Sequence, residues 1–198
     1  MEKHSSPAGA KVGMWLFLCT EILLFGGLFL LYSVYRYRNP ADFREASREL
    51  DRFFGTLNTA VLITSSLSVA LAGQALSLRR PRRTMLLLGA SLALGAGFLV
   101  VKGFEWGAKF AHGLYPSSPV LLARAQGEIL YFGLYYMMTG LHALHVLIGM
   151  GLLATVLVLV RRGRVSPEQP VLLENSGLYW HLVDMIWIFL FPLFYLIG

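Results

Sequence analysis

The sequence predicts an all-α fold, a polytopic membrane bundle of five transmembrane helices. Three observations carry this. Of 198 residues, 56% are hydrophobic and only 14% are charged, and the mean hydropathy is +0.61, too apolar for a soluble domain of this length. Five long apolar runs use most of the chain, so residues 1–198 read as a single membrane domain with no room for a soluble one. Lys and Arg collect at the ends of the runs, the pattern of a membrane protein's inner face. The formal charge of +6 therefore does not imply a nucleic-acid partner, because no basic surface would lie outside the lipid boundary.

The first span is residues 12–35, preceded by a short polar tail with Ser5, Ser6, Pro7 and Gly9. It is too long for a cleavable signal, contains Glu21 and lacks a small-residue cleavage site. Cys19 is the sole cysteine, which excludes an intramolecular disulfide or a CxxC motif. Tyr32, Tyr35 and Tyr37 mark the far interface, where rings with polar tips prefer to sit. Residues 36–52 mix arginines with acids. Pro40, Ala41 and Asp42 start a short surface helix there, in a segment expected to be solvated or interfacial.

The second span, residues 54–78, is rich in Ser, Thr, Ala and Gly. Asn58, Ser65 and Ala72 recur at sevens, as do Thr59, Ser66 and Gly73. Such rows let helices approach closely in lipid, so Asn58, Thr59, Ser65 and Ser66 are assigned to interhelical packing. Four arginines around Pro81 then form a tight turn. In the third span, residues 85–104, Gly89, Gly95 and Gly97 again suggest close contacts, and residues 107–118 read as a loop. The fourth span, residues 129–160, exceeds the roughly 20 residues needed to cross, which implies tilt or a protruding end. Arg161, Arg162 and Arg164 close it. Pro167 and Pro170 break the chain, and Asn175 or Ser176 is positioned to cap the fifth span, residues 178–197.

Orientation follows from Lys and Arg in short loops. The turns at 79–83 and 161–164 lie on one side, assigned to the cytoplasm. The N-terminus, with Lys3 and Lys11, is then cytoplasmic and the C-terminus outside. The expected location is a bacterial plasma membrane.

Ionisable groups inside a bilayer are costly and must face protein or water. Lys102 and Glu105 are three apart and read as a self-neutralising pair near enough to the interface for Lys102 to snorkel. His142 and His145 share a face of the fourth helix. His181 and Asp184 share a face of the fifth, and Trp180 and Trp187 share another. Glu128 and Glu174 border these spans. The histidines fit either an interhelical hydrogen-bond network or ligation of a metal or haem. Ligation is disfavoured because no paired ExxH pattern supplies further ligands. Glu21 has no basic residue within helical reach. It must be satisfied by another helix, by water or by carrying its own proton, which makes it the candidate proton-handling group.

Five motifs stand in order: GMWLFLCTEILLFGGLF at 13–29, LNTAVLITSS at 57–66, KGFEW at 102–106, TGLHALHVLIG at 139–149 and ENSGLYWHLVDMIWIFLFPLFYL at 174–196. Together they resemble subunit III of the haem–copper terminal oxidases, the cytochrome c and quinol oxidases, in a short five-helix form. The resemblance spans nearly the whole chain, and the last two motifs are the most specific. It implies a non-catalytic subunit of an oxidoreductase complex in aerobic electron transport. Such a subunit has no catalytic residue, metal or other cofactor of its own. It packs on and stabilises a catalytic subunit I that carries haem and copper, and it takes part in lipid binding and proton uptake. By motif, Glu21 matches the family's carbodiimide-reactive carboxylate. The resemblance also favours a structural polar network of Glu105, His142, His145, Glu174, His181 and Asp184. Three alternatives remain open at this point: an accessory protein of nitric oxide reductase, from the same superfamily; a small proton channel or transporter; and a membrane b-type cytochrome using His142 or His145 with His181.

Overall fold

The computed structural model describes residues 7–197, and among them every regular element is a helix. Lys3, Ser5 and Ser6, used above for orientation and for the polar tail, lie outside the described residues. Helix α1 spans Pro7–Arg38, α2 Pro40–Arg48, α3 Arg52–Ser77, α4 Pro81–Ala111, α5 Pro119–Leu122, α6 Gln126–Arg161 and α7 Val171–Tyr195. Five of these, α1, α3, α4, α6 and α7, are long and apolar enough to cross a membrane.

Prolines recur at helix starts. Pro40, Pro81 and Pro119 sit in the first turns of α2, α4 and α5, where the missing N–H costs nothing and the fixed φ suits the helix. Asp51 caps α3 by accepting from the Phe53 N–H at 2.8 Å. Three helices end in the same way, with a left-handed residue that lets the next N–H reach back to the last turn. Gly113 (φ 70) and Gly163 (φ 68) take that role after α4 and α6. After α3 the role falls to Arg79, at φ 57, and the Arg80 N–H donates to the Ala75 carbonyl at 2.9 Å.

Helices α3, α4, α6 and α7 close a ring, each touching the next, and α1 leans from outside on α6 and α7. Helix α7 is the centre of the packing: 56% of its most apolar stretch is buried, against 11% in α1. Its two tryptophans fill the ring. Trp180 is pinned between Gly95 of α4 and Gly149 of α6, where an added Cβ would come within 3.0 and 2.7 Å of the indole. The Trp180 N–H donates to Ser65 Oγ of α3 at 3.1 Å. One turn-pair along, Trp187 donates to Thr59 Oγ1 of α3 at 3.0 Å and packs edge-on against Phe98 of α4.

Four expectations change. Helix α4 runs through Ala111, so the predicted loop from residue 107 begins only after His112. Gly107 does not break it, and Lys109 in the added turn donates to the Glu49 carbonyl. Helix α7 starts at Val171 behind Pro170 with no side-chain cap, and Asn175 instead donates to the Ala10 carbonyl of α1. Helix α2 is not merely solvated: Phe43 and Ala46 are fully buried, and Asp42 accepts from the Gly127 N–H, capping α6. Of Gly89, Gly95 and Gly97, the α4 glycines expected to make close contacts, Gly95 alone does; a Cβ at Gly89 or Gly97 would meet nothing within 4 Å.

Candidate functional site

The interior polar groups fall into separate clusters, and they do not form the single network the sequence suggested. A helix face dictates which residues of one helix lie together. Which helix then covers that face is decided by packing.

The first cluster joins α1 to α6. Glu21 Oε2 lies 2.8 Å from His145 Nε2. The other ring nitrogen, Nδ1, is 2.7 Å from the Leu141 carbonyl. A carbonyl only accepts, so Nδ1 carries a hydrogen. One proton then lies on the line between Nε2 and Oε2. If it rests on the oxygen, the pair is neutral. If it rests on nitrogen, the pair is an imidazolium–carboxylate ion pair. Both states keep the hydrogen bond between Nε2 and Oε2, so one short proton transfer interconverts them. The Phe25 ring packs edge-on against the imidazole at 5.3 Å. Both side chains keep about a tenth of their surface exposed, 13% for Glu21 and 9% for His145.

The second cluster is closed. Lys102 is 2% exposed and does not snorkel. Its Nζ donates to Glu105 Oε2 at 3.2 Å, Tyr135 Oη at 2.9 Å and Tyr195 Oη at 2.6 Å. The two phenols pass the contact on, donating to Glu105 Oε1 at 2.6 and 2.7 Å. All three ammonium donors are thereby used. The ammonium also lies 5.2 Å over the Trp187 ring. Helices α4, α6 and α7 are tied together by this group. Nearby, Tyr32 and Tyr131 donate to the Leu193 and Phe194 carbonyls, covering groups that the end of α7 leaves unbonded.

The remaining residues are placed as follows. His181 Nδ1 is 2.6 Å from Ser66 Oγ of α3 and does not bond Asp184. Asp184 faces Ser66, yet its carboxylate oxygens have no hydrogen-bond partner among the described residues. His142 is fully buried between Phe98 and Trp187, with no hydrogen bond at either ring nitrogen. Asn58 is fully buried with its amide unbonded among the described residues. Ser65 and Ser91 exchange hydroxyl–carbonyl bonds at 3.3 and 3.2 Å, joining α3 to α4. Glu174 is outside any interior cluster, paired with Lys11 at 2.6 Å and half exposed. Among the described residues no three His, Cys, Asp or Glu side chains are grouped to hold a metal. Sequence reasoning missed Tyr135, Tyr195 and Ser91. Their one signal was depth: in an antiparallel bundle Tyr135 and Tyr195 fall at the level of Lys102.

The fold and its paired interior charges define a multi-pass membrane protein. The family profile described as "Cytochrome c oxidase subunit III" matches residues 52–198. The chain is 31% identical over 195 residues to the "Cytochrome c oxidase subunit 3" of Thermostichus vulcanus, covering 98% of this chain and 90% of that one. It is 30% identical over 187 residues to the protein of the same name from Bacillus subtilis (strain 168), covering 94% and 86%. The "Heme-copper oxidase subunit I+III" of Aeropyrum pernix is 31% identical over 200 residues, which cover 94% of this chain and 22% of that protein. The chain belongs to the cytochrome c oxidase subunit III family, the accessory subunit of the haem–copper oxidases.

Proposed function

We propose that this chain seats on subunit I of a haem–copper terminal oxidase, stabilises it and supports its proton uptake, while haem and copper reside in the partner. The pairing with subunit I draws support from the relative whose printed name joins I and III in one protein. The proton role rests on the Glu21–His145 contact, a part-buried acid and base with one proton between them. The arginine-rich end of the bundle, with the turns at 79–83 and 161–164 and Lys11, faces the bacterial cytoplasm in this reading, and the C-terminus lies outside. The exposed apolar rows of α1, such as Trp15, Leu16 and Leu23, meet subunit I or phospholipid.

The test is mild-detergent purification through a tag on this chain, followed by proton-uptake kinetics of the captured complex reconstituted in vesicles. A haem-containing partner should co-purify, and Glu21→Gln should slow uptake without changing the haem spectrum. Absence of any haem partner would remove the subunit reading. An unchanged uptake rate in the variant would remove the proton role.

A further inference from the structure

Between α3 and α7 a cavity of about 730 Å³ opens at the arginine-rich end. Lys11, Ser77 and Glu174 stand at its mouth, and Gly73 and Gly177 line its walls. His181 is the lining residue farthest along α7, ten residues in, or about 15 Å at the helical rise. The row of polar groups continues past it. His181 bonds Ser66 at 2.6 Å, and Ser66 faces Asp184, which is only 4% exposed. No cation pairs with Asp184 among the described residues, and neither oxygen accepts a hydrogen bond. Burying a bare carboxylate costs far more than burying the neutral acid, so Asp184 rests in this site carrying its proton.

We propose that this cavity is an aqueous inlet, and that His181, Ser66 and Asp184 form a proton-exchange site fed through it, separate from the Glu21–His145 pair. The cavity is many times the roughly 30 Å³ share of one water, and it has polar groups at the mouth and at the inner end. Intramembrane ionisable groups beside such a cavity form proton relays. Once Asp184 has given up its proton, water in the inlet protonates His181 at the ring nitrogen away from Ser66. The Ser66 hydroxyl, which faces Asp184, turns its hydrogen to the ionised carboxylate and closes the hydrogen bond that is open in the resting state. The proton on Nδ1 then passes to Ser66 Oγ as the Ser66 hydroxyl proton passes to Asp184. One proton enters, one arrives, and release runs the same steps backwards. An acyl chain lying in the groove is the competing occupant, and it would seal Asp184 from water.

Infrared spectroscopy of the purified complex separates the two. The carboxylic C=O band to follow is the one absent in Asp184→Asn. In wild type it should shift within minutes of transfer to D2O. A Cβ at Gly73 meets nothing within 4 Å, so Gly73→Leu plugs the inlet without straining the bundle, and it should slow the shift about tenfold. Ser66→Ala, which interrupts the row while the inlet stays open, should slow it as well, and it carries the test if Gly73→Leu fails to assemble. No Asp184-dependent band, a band that does not shift in wild type, or equal rates in wild type and in the variants that assemble would each overturn the proposal.

Discussion

Glu21 of α1 and His145 of α6 stand 124 residues apart in the chain and share one hydrogen bond of 2.8 Å. The bond matters to architecture as well as to protons, because α1 is the least buried of the five long helices. Glutamine at position 21 donates where the neutral acid donates, so Glu21→Gln should leave thermal unfolding and partner retention unchanged. Glu21→Leu strands His145 Nε2 and should cost about 1–3 kcal/mol. Unfolding midpoints in detergent for the two variants check this. Collapse of the complex in Glu21→Gln would make Glu21 a structural node.

Lys102 and Glu105 are buried at a depth where neither tolerates losing the other. Lys102→Met should destabilise by about 3–5 kcal/mol, since it takes the partner from a buried acid in a dry site. The double variant Lys102→Met/Glu105→Gln keeps acceptors for the Tyr135 and Tyr195 hydroxyls and should recover much of the loss. A double-mutant cycle on unfolding free energy reads the coupling directly. Additive single-variant effects would show that the pair is not coupled.

The glycines divide by what stands opposite them. Gly149→Ala pushes a methyl to 2.7 Å from the rigid Trp180 ring and should cost about 1–3 kcal/mol. Gly97→Ala meets open space and should be neutral or stabilising by up to about 1 kcal/mol, through the lower backbone entropy of the unfolded chain. Comparing the two unfolding midpoints checks the assignment of Trp180 as the wedge between α4 and α6.

The turn after α3 holds Arg79 in a left-handed conformation, with its guanidinium 2.5 Å from Glu168. Glycine removes the conformational cost of about 1 kcal/mol, so Arg79→Gly should be more stable than Arg79→Ala, both having lost the same surface ion pair. Equal midpoints for the two would show that φ at this position carries no cost.

Glu168 gives the same corner a pH signature. The Ser166 hydroxyl and a backbone N–H, and then Arg79, hold its carboxyl below the usual carboxylate range. A depressed folded value adds stability above the unfolded range, and that stability is lost as pH falls through the folded one. The stability difference between wild type and Glu168→Gln should therefore be present at neutral pH, shrink in acid, and be weakened by salt. A difference that grows in acid would contradict the assignment.

The amino-acid sequence by itself determined the five apolar helices, the prolines that start α2 and α4, and which polar residues share a helix face. These are local quantities, set by hydropathy over one span and by the 3.6-residue turn. Only the tertiary structure decided the partners. Spacing placed His181 beside Asp184, but α3 brings Ser66 closer. Spacing left Glu21 alone, and α6 supplies His145. Lys102 reached toward the interface in sequence terms, until Tyr135 and Tyr195 from two other helices enclosed it. A helix period says which side chains point together. Which neighbour covers them depends on how Trp180 and Trp187 wedge α3, α4 and α6 around α7, and no single segment contains that information.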